Sequence, residues 1–365
     1  MNKNKEFELR YAVRPFKREN KKIEEDLNNK IKKNLKLLEN IPNRLPIMTY
    51  YEEILGSSSR IDELKKAKEN GKKIVGVFCN FVPEELLYAA GLVPIRLCAG
   101  SYDTIYPAEE ILPRDICQLI KSSVGFKLLG LSYFELCDLV IIPTTCDGKK
   151  KLGEMLNSFV PVLLLELPNR KNLQRAKDFW INEVKTLKKK LEKFARVKIT
   201  RQGLKHAIQT LQKRQAVFRK FYELRKNNQG LNGRDTFLVI QAAFYDEVSR
   251  WIEKTQTLCD QLVSNKKSQE SRIRLLLTGA PIIWPNYKLL NIIEESGAII
   301  VADELCSGTR MLYDPVGVDE WTEKAMITGI AYRYLLPSTC PCFTESNDRM
   351  DRILDLLNEF NVEGV

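Results

Sequence analysis

Apolar and polar residues alternate along this chain with two different periods, and the switches between them mark its elements. The run IEEDLNNKIKKNLKLLENI places apolar residues at helical spacing, and IPNRLP breaks it, so residues 1–60 read as an N-terminal helical segment. The pattern then becomes strand, helix, strand: KKIVGVFC is β-branched, PEELLYAAG is a helix opened by Pro83 and closed by Gly91, and VPIRLC is a second strand. The same punctuation continues through CQLIKSSVGFKLLG, DLVIIP, GKKKLGEMLNSF and VPVLLLELP, which predicts a mostly parallel sheet flanked by helices in a first α/β domain, 61–167. Residues 168–265 lack strand signals and carry long amphipathic helices, LQRAKDFWINEVKTLKKKLEKF and HAIQTLQKRQAVFRKFYELR, followed by a turn at Gly230 and Gly233. RIRLLLTGAPI, LLNIIEESG, AIIVADELC and DRILDLLNEF restart the alternation in a second α/β domain, 266–365. The expected fold is α/β, with two doubly wound, flavodoxin- or Rossmann-like parallel-sheet domains and a helical middle region.

Composition narrows the class. The chain has 365 residues, 44% of them hydrophobic, enough for two ordinary cores. Its longest apolar run, Phe159 to Leu167, is interrupted by Pro161 and Glu166 and is too short to cross a bilayer. No secretory h-region opens the chain, and a cytoplasmic location with reduced thiols is expected. The net charge of +11 is concentrated around Lys17–Lys36 and Lys171–Arg225. Lysine-rich helices are ordinarily solvated faces, and no nucleic-acid motif accompanies these. A basic surface also suits an acidic partner or a nucleotide-bearing acyl thioester. The one histidine, His206, lies in a lysine-rich helical run and reads as a surface residue, so metal binding here has to be thiolate binding.

Nine cysteines make thiolate chemistry the leading candidate. In open α/β sheets ligands bind beyond the carboxyl ends of the strands, where loops converge and helix N-termini point their amides inward. Cys79 ends IVGVFC, Cys146 follows LVIIP, and Cys306 follows IIVADEL. Cys117 opens the helix after LPRD, where the helix dipole favours an anion, and Cys340 and Cys342 share the loop LPSTCPCF. Each alone is an ordinary packing cysteine; six together point to a shared site for zinc or for iron and sulfide. Cys98 also ends a strand and is left open, whereas Cys137 and Cys259 read as structural.

The phrases GVFCNFVPEELLYAAGLVPIRL, LPRDICQLIKSSVGF, IPTTCDGKKKLGEML, ESGAIIVADELCSGTR and STCPC, the last followed by Asn347 and Arg349, resemble the 2-hydroxyacyl-CoA dehydratase and benzoyl-CoA reductase superfamily from about residue 60 onward. The resemblance implies an iron-sulfur cofactor. Dehydratase subunits hold one [4Fe-4S] cubane through three thiolates, and double-cubane proteins hold an [8Fe-9S] cluster through six. Cys79, Cys117, Cys146, Cys306, Cys340 and Cys342 favour the second, although Gln118 stands where the family pattern has proline. It further implies a homodimer served by a separate ATP-hydrolysing iron-sulfur activator, and a small unsaturated substrate. No GxxxxGK(S/T) loop or GxGxxG fingerprint is present, in keeping with no nucleotide bound by this chain. Candidate catalytic groups are Glu84, with Glu85, as proton donor, and Lys121, Ser122 and Arg310, with Ser123, Lys149, Ser307 and Thr309, as donors near the thiolates; each also reads as a helix cap or a local polar contact. The alternatives are a dehydratase subunit with one cubane and a non-enzymatic electron-transfer or cluster-storage protein.

Overall fold

The computed structural model describes residues 20–41, 44–98, 100–226, 231–264, 272–345 and 347–365. The expectations for residues 1–19, the Pro42–Asn43 break and the turn at Gly230 lie outside the described residues. β1 (Ile74–Val77), β2 (Val93–Arg96), β3 (Leu139–Pro143) and β4 (Val162–Leu165) form one sheet in the order β2-β1-β3-β4, every pairing parallel. Parallel neighbours require crossovers, and helices Glu84–Ala89, Gln118–Leu128 and Asp147–Leu156 supply them. Every residue of β1 and β3 is buried, which is why IVGV and LVIIP are unbroken apolar runs. The chain runs outward from β1 to β2 and then returns past β1 to β3, so the sheet's switch point lies between β1 and β3.

A second parallel pair, β5 (Ile273–Thr278) and β6 (Ala298–Glu304), is joined through helix Lys288–Glu295 and touched by Gly364, which bridges to Leu275. The α/β class is as expected. The second sheet, however, has two strands among the described residues, less than the doubly wound sheet expected there.

Four helices fill the region between the sheets: Gln174–Ala195, Arg201–Lys226, Gly233–Ala242 and Val248–Ser264. The first buries Ala176, Trp180, Val184, Leu187 and Leu191, a stripe at three- and four-residue spacing. Trp180 is fully buried and donates its indole N–H to the Ala331 carbonyl at 2.9 Å; Trp251 does the same to Val239 at 2.9 Å. The basic helix Arg201–Lys226 is not simply a solvated face, because Arg214 and Arg225 are buried, the former paired with Glu84 and the latter donating to the Ile300 carbonyl. One continuous apolar core runs from β1 and β3 through these helices to β6. No described helix is long and apolar enough to cross a membrane.

Candidate metal centre

Three strands of the main sheet and β6 each release the chain into a cysteine. Cys79 follows β1, Cys98 follows β2, Cys146 follows β3 and Cys306 follows β6. Cys79 and Cys146 thus flank the switch point. Cys79 adopts a left-handed backbone, φ 56°, uncommon for a residue with a side chain, and its Sγ lies 3.5 Å from the Thr145 hydroxyl. Cys117 and Cys146 are exposed N-cap residues whose carbonyls accept from the first turns of helices Gln118–Leu128 and Asp147–Leu156. These two helix starts meet: a Cβ on Gly148 would stand 3.2 Å from the Ile120 side chain and 3.8 Å from the Cys146 sulfur. Two positive dipole ends therefore open onto one place.

The β6 side is built around two carboxylates. Asp303 Oδ1 accepts from the Leu305 and Thr309 amides, each at 3.1 Å, and closes the turn that presents Cys306. A Cβ on Gly308 would fall 2.0 Å from that oxygen, so the turn admits only glycine there. Glu304, fully buried, accepts from Thr278 at 3.0 Å, from Thr339 at 2.5 Å, from Arg349 at 3.3 Å and from both arms of Arg310. Burial alone would raise its pKa, yet these donors hold it below the ordinary carboxylate range. Thr339 thereby fastens the STCPC loop to the end of β6, assisted by Lys171 donating to the Leu336 carbonyl at 3.0 Å and by Phe343 against Phe81.

The sulfurs act electrostatically on one another: Cys79 with Cys98 and Cys340, Cys306 with Cys79 and Cys98, and Cys342 with Cys340 and Cys79. Burial raises the Cys79 thiol and pushes Cys306 up to about 12. Cys340 is held down to about 7, first by its hydrogen bond with Cys342 and then, against burial, by Arg310; Cys342 is correspondingly raised. Among the described residues no three His, Cys, Asp or Glu converge closely enough to hold a single metal ion. The thiols influence one another through charge without forming a single-ion site.

Lys149 places a positive charge among these thiols. Only 8% exposed, its ammonium lies 4.2 Å from the Phe78 ring centroid and has no carboxylate partner among the described residues. Burial pulls its pKa down, but the charges of Cys79, Cys98, Cys146 and Cys306 hold it above its ordinary value. Burial acts on the Cys79 and Cys306 thiols in the opposite sense, disfavouring their thiolates. Nearby, Asn80 Oδ1 and Ser307 Oγ are buried without hydrogen-bond partners among the described residues. An all-thiol donor set, a buried unbalanced cation and orphaned polar atoms beside it fit an iron-sulfide group better than a lone ion.

Of the sequence candidates for catalysis, Arg310 acts on Cys306 and Cys340 while paired with Glu304. Glu84 is buried in an ion pair with Arg214, 2.5 Å, and its neighbour Glu85 is raised by burial against the pull of Arg333. Lys121 is buried against Glu109 at 2.7 Å and donates to the Arg114 carbonyl; Ser122 hydrogen-bonds Thr104 at 2.8 Å and accepts from the Ser101 amide. Ser123 donates to the Leu119 carbonyl and Thr309 to that of Asp303. Cys137 and Cys259 are buried in the core, and His206 is exposed. Sequence reasoning missed the Glu304 node and left Cys98 open; the strand-end position of Cys98 was the available signal.

Comparison with known proteins gives one family. Residues 79–365 match the family described as 2-hydroxyglutaryl-CoA dehydratase, D-component. YjiM of Escherichia coli strain K12, named as a dehydratase subunit, is 33% identical over 309 residues, 82% of this chain and 78% of that protein. The beta subunit of (R)-2-hydroxyglutaryl-CoA dehydratase from Acidaminococcus fermentans is 24% identical, covering 85% of this chain and 82% of its own length. A benzoyl-CoA reductase component from Thauera aromatica is also 24% identical, covering 69% and 66%.

Proposed function

This chain belongs to the 2-hydroxyglutaryl-CoA dehydratase D-component family, within the superfamily its motifs resemble, and is an enzyme component of that kind; we propose that it is the low-potential reductase member holding a double-cubane iron-sulfur cluster. The group would be held by Cys79, Cys117, Cys146, Cys306, Cys340 and Cys342, three thiolates to each cubane, and when bound it would supply one-electron reduction of a small unsaturated substrate. The observation that carries the reading is Lys149, a buried cation that interacts with four cysteines and has no carboxylate to balance it among the described residues. Arg310 contributes a second positive charge beside Cys306 and Cys340, and the helix starts after Cys117 and Cys146 contribute two more. Positive charge and hydrogen bonds around thiolates stabilise the anionic ligand set and set its potential.

Electrons would come from a separate ATP-hydrolysing iron-sulfur activator, with this chain acting as a cytoplasmic homodimer that binds no nucleotide itself. A second reading, a dehydratase subunit with one cubane, is supported by the names of the relatives. The test is anaerobic reconstitution with iron and sulfide, followed by incubation with such an activator, ATP, and acetylene or azide. ATP-dependent reduction is expected. Inactivity with an intact, reducible cluster would leave an electron-transfer or storage role instead, and dehydration of a 2-hydroxyacyl-CoA would favour the second reading.

A further inference from the structure

A concavity of about 950 Å³ opens between the last turns of helix Gln174–Ala195, the turn that follows it, and the start of helix Glu323–Leu335. Lysine and arginine make up most of its wall, and its two carboxylates, Glu192 and Glu323, are both taken by Lys188, at 3.0 and 3.1 Å. Lys185, Lys189, Lys193, Arg196, Lys198 and Lys324 are exposed and form no ion pair among the described residues. Lys185, Lys189 and Lys193 follow at four-residue spacing, so they share one helix face, where like charges repel. The negative end of the helix dipole offsets only about half a unit charge of this surplus.

Arg196 adds to the surplus at a conformational cost. It ends the helix in the left-handed region, φ 57°, a position that glycine ordinarily takes, with its amide donating to the Glu192 carbonyl. An arginine there accepts a strained backbone and sets a further cation on the rim. The wall holds no aromatic side chain; Val197 and Ile327 are its apolar residues. Nothing in it can stack on a base, whereas clustered ammonium groups suit closely spaced negative charges.

The concavity lies apart from the thiols. Lys73, the residue before β1, donates to the Phe194 carbonyl at 2.5 Å and lies 4.4 Å from the Phe194 ring centroid, tying these helix turns to the amino-terminal edge of the main sheet. Cys79 and Cys146 leave the carboxyl-terminal edge. We propose that this concavity binds a small oligophosphate, a phosphate chain carrying no base, at a site separate from the thiol centre. The site goes beyond the reductase reading and does not depend on it.

Inorganic triphosphate, orthophosphate, citrate and ATP are titrated by calorimetry into full-length protein at low ionic strength, iron-loaded and metal-free. Triphosphate is expected to bind at least about tenfold tighter than orthophosphate, because one chain engages several cations, and to weaken as salt rises. ATP should bind no tighter than triphosphate, and iron content should make no difference. Lys189→Gln with Lys193→Gln should weaken triphosphate at least about tenfold, whereas Lys21→Gln with Lys22→Gln, the same charge change on exposed lysines of helix Asn20–Glu39, should weaken it less than about twofold. Arg196→Gly should leave the melting midpoint unchanged or higher, by relieving the left-handed backbone, and still weaken triphosphate binding. Equal binding of triphosphate and orthophosphate, or citrate matching triphosphate, overturns the proposal on the wild-type protein alone. Equal losses in the two double variants also overturn it, since binding would then follow net charge and not this concavity. ATP binding tighter than triphosphate would overturn the base-free ligand class.

Discussion

Replacing Lys149 with methionine separates two accounts of the thiol site because its effect should reverse sign with metal content. In the metal-free protein the ammonium is buried without a carboxylate partner among the described residues, so it carries a desolvation cost of about 3–5 kcal/mol. The Phe78 ring at 4.2 Å returns about 2 kcal/mol. Methionine fills similar volume without the charge, so the metal-free variant should be more stable by about 1–3 kcal/mol, a rise in melting midpoint of roughly 1–4 °C at about 1.3 °C per kcal/mol for a chain of 365 residues. With an anionic cluster in place the same substitution removes its buried counter-charge, and the loss should approach the cost of breaking a buried pair, about 3–5 kcal/mol. Calorimetry of anaerobic protein before and after chelation reads both states, and iron retention against a chelator gives a second readout. A shift of the same sign in both states, or unchanged iron retention, would refute the reasoning, since Lys149 would then be a packing residue only.

Three further outcomes follow from the same geometry. Gly308→Ala drives a methyl to 2.0 Å from Asp303 Oδ1 and should break the hydrogen bonds to the Leu305 and Thr309 amides, costing about 2–4 kcal/mol and releasing iron through displacement of Cys306; calorimetry and metal analysis check it. Cys146→Ala and Cys306→Ala should each leave at most one cubane, whereas Cys259→Ala, in the apolar core, should keep full iron and lose about 1 kcal/mol of stability; equal iron loss in all three would make the site assignment wrong. Glu63 is held down to about 2 from 4.5, first by its hydrogen bonds with Arg250, so its stabilising contribution is whole above pH 4.5 and is lost as pH falls toward 2. Glu63→Gln should flatten that acid limb by less than about 1 kcal/mol, because the pair is partly exposed; an unchanged pH profile would dismiss the linkage.

The strands were legible in the sequence because buried parallel strands are continuous apolar runs, as IVGV and LVIIP are, and because the chain must leave each one at the same edge. Cys79, Cys98, Cys146 and Cys306 could therefore be placed at strand ends from the sequence alone. What stayed hidden depends on packing between distant segments. Lys149 is among the donors expected near the thiolates, but nothing in the run Lys149–Lys151 tells that it turns inward onto Phe78 while the other two are exposed. Arg96 is one polar letter at the end of VPIR, and nothing local tells that Phe244 covers it or that its fork is left without an acceptor. Glu304 carries no motif signal for its role, which comes from Thr278, Thr339, Arg310 and Arg349 meeting it from four parts of the chain. The smaller second sheet reflects the same limit: two strand signals fix two strands, and their neighbours are a matter of tertiary contact.

The most direct measurement is the iron and acid-labile sulfide content per chain of anaerobically purified protein. About eight irons and nine sulfides per chain are predicted, held by six thiolates; about four of each would contradict the double cubane and favour a single-cubane dehydratase subunit.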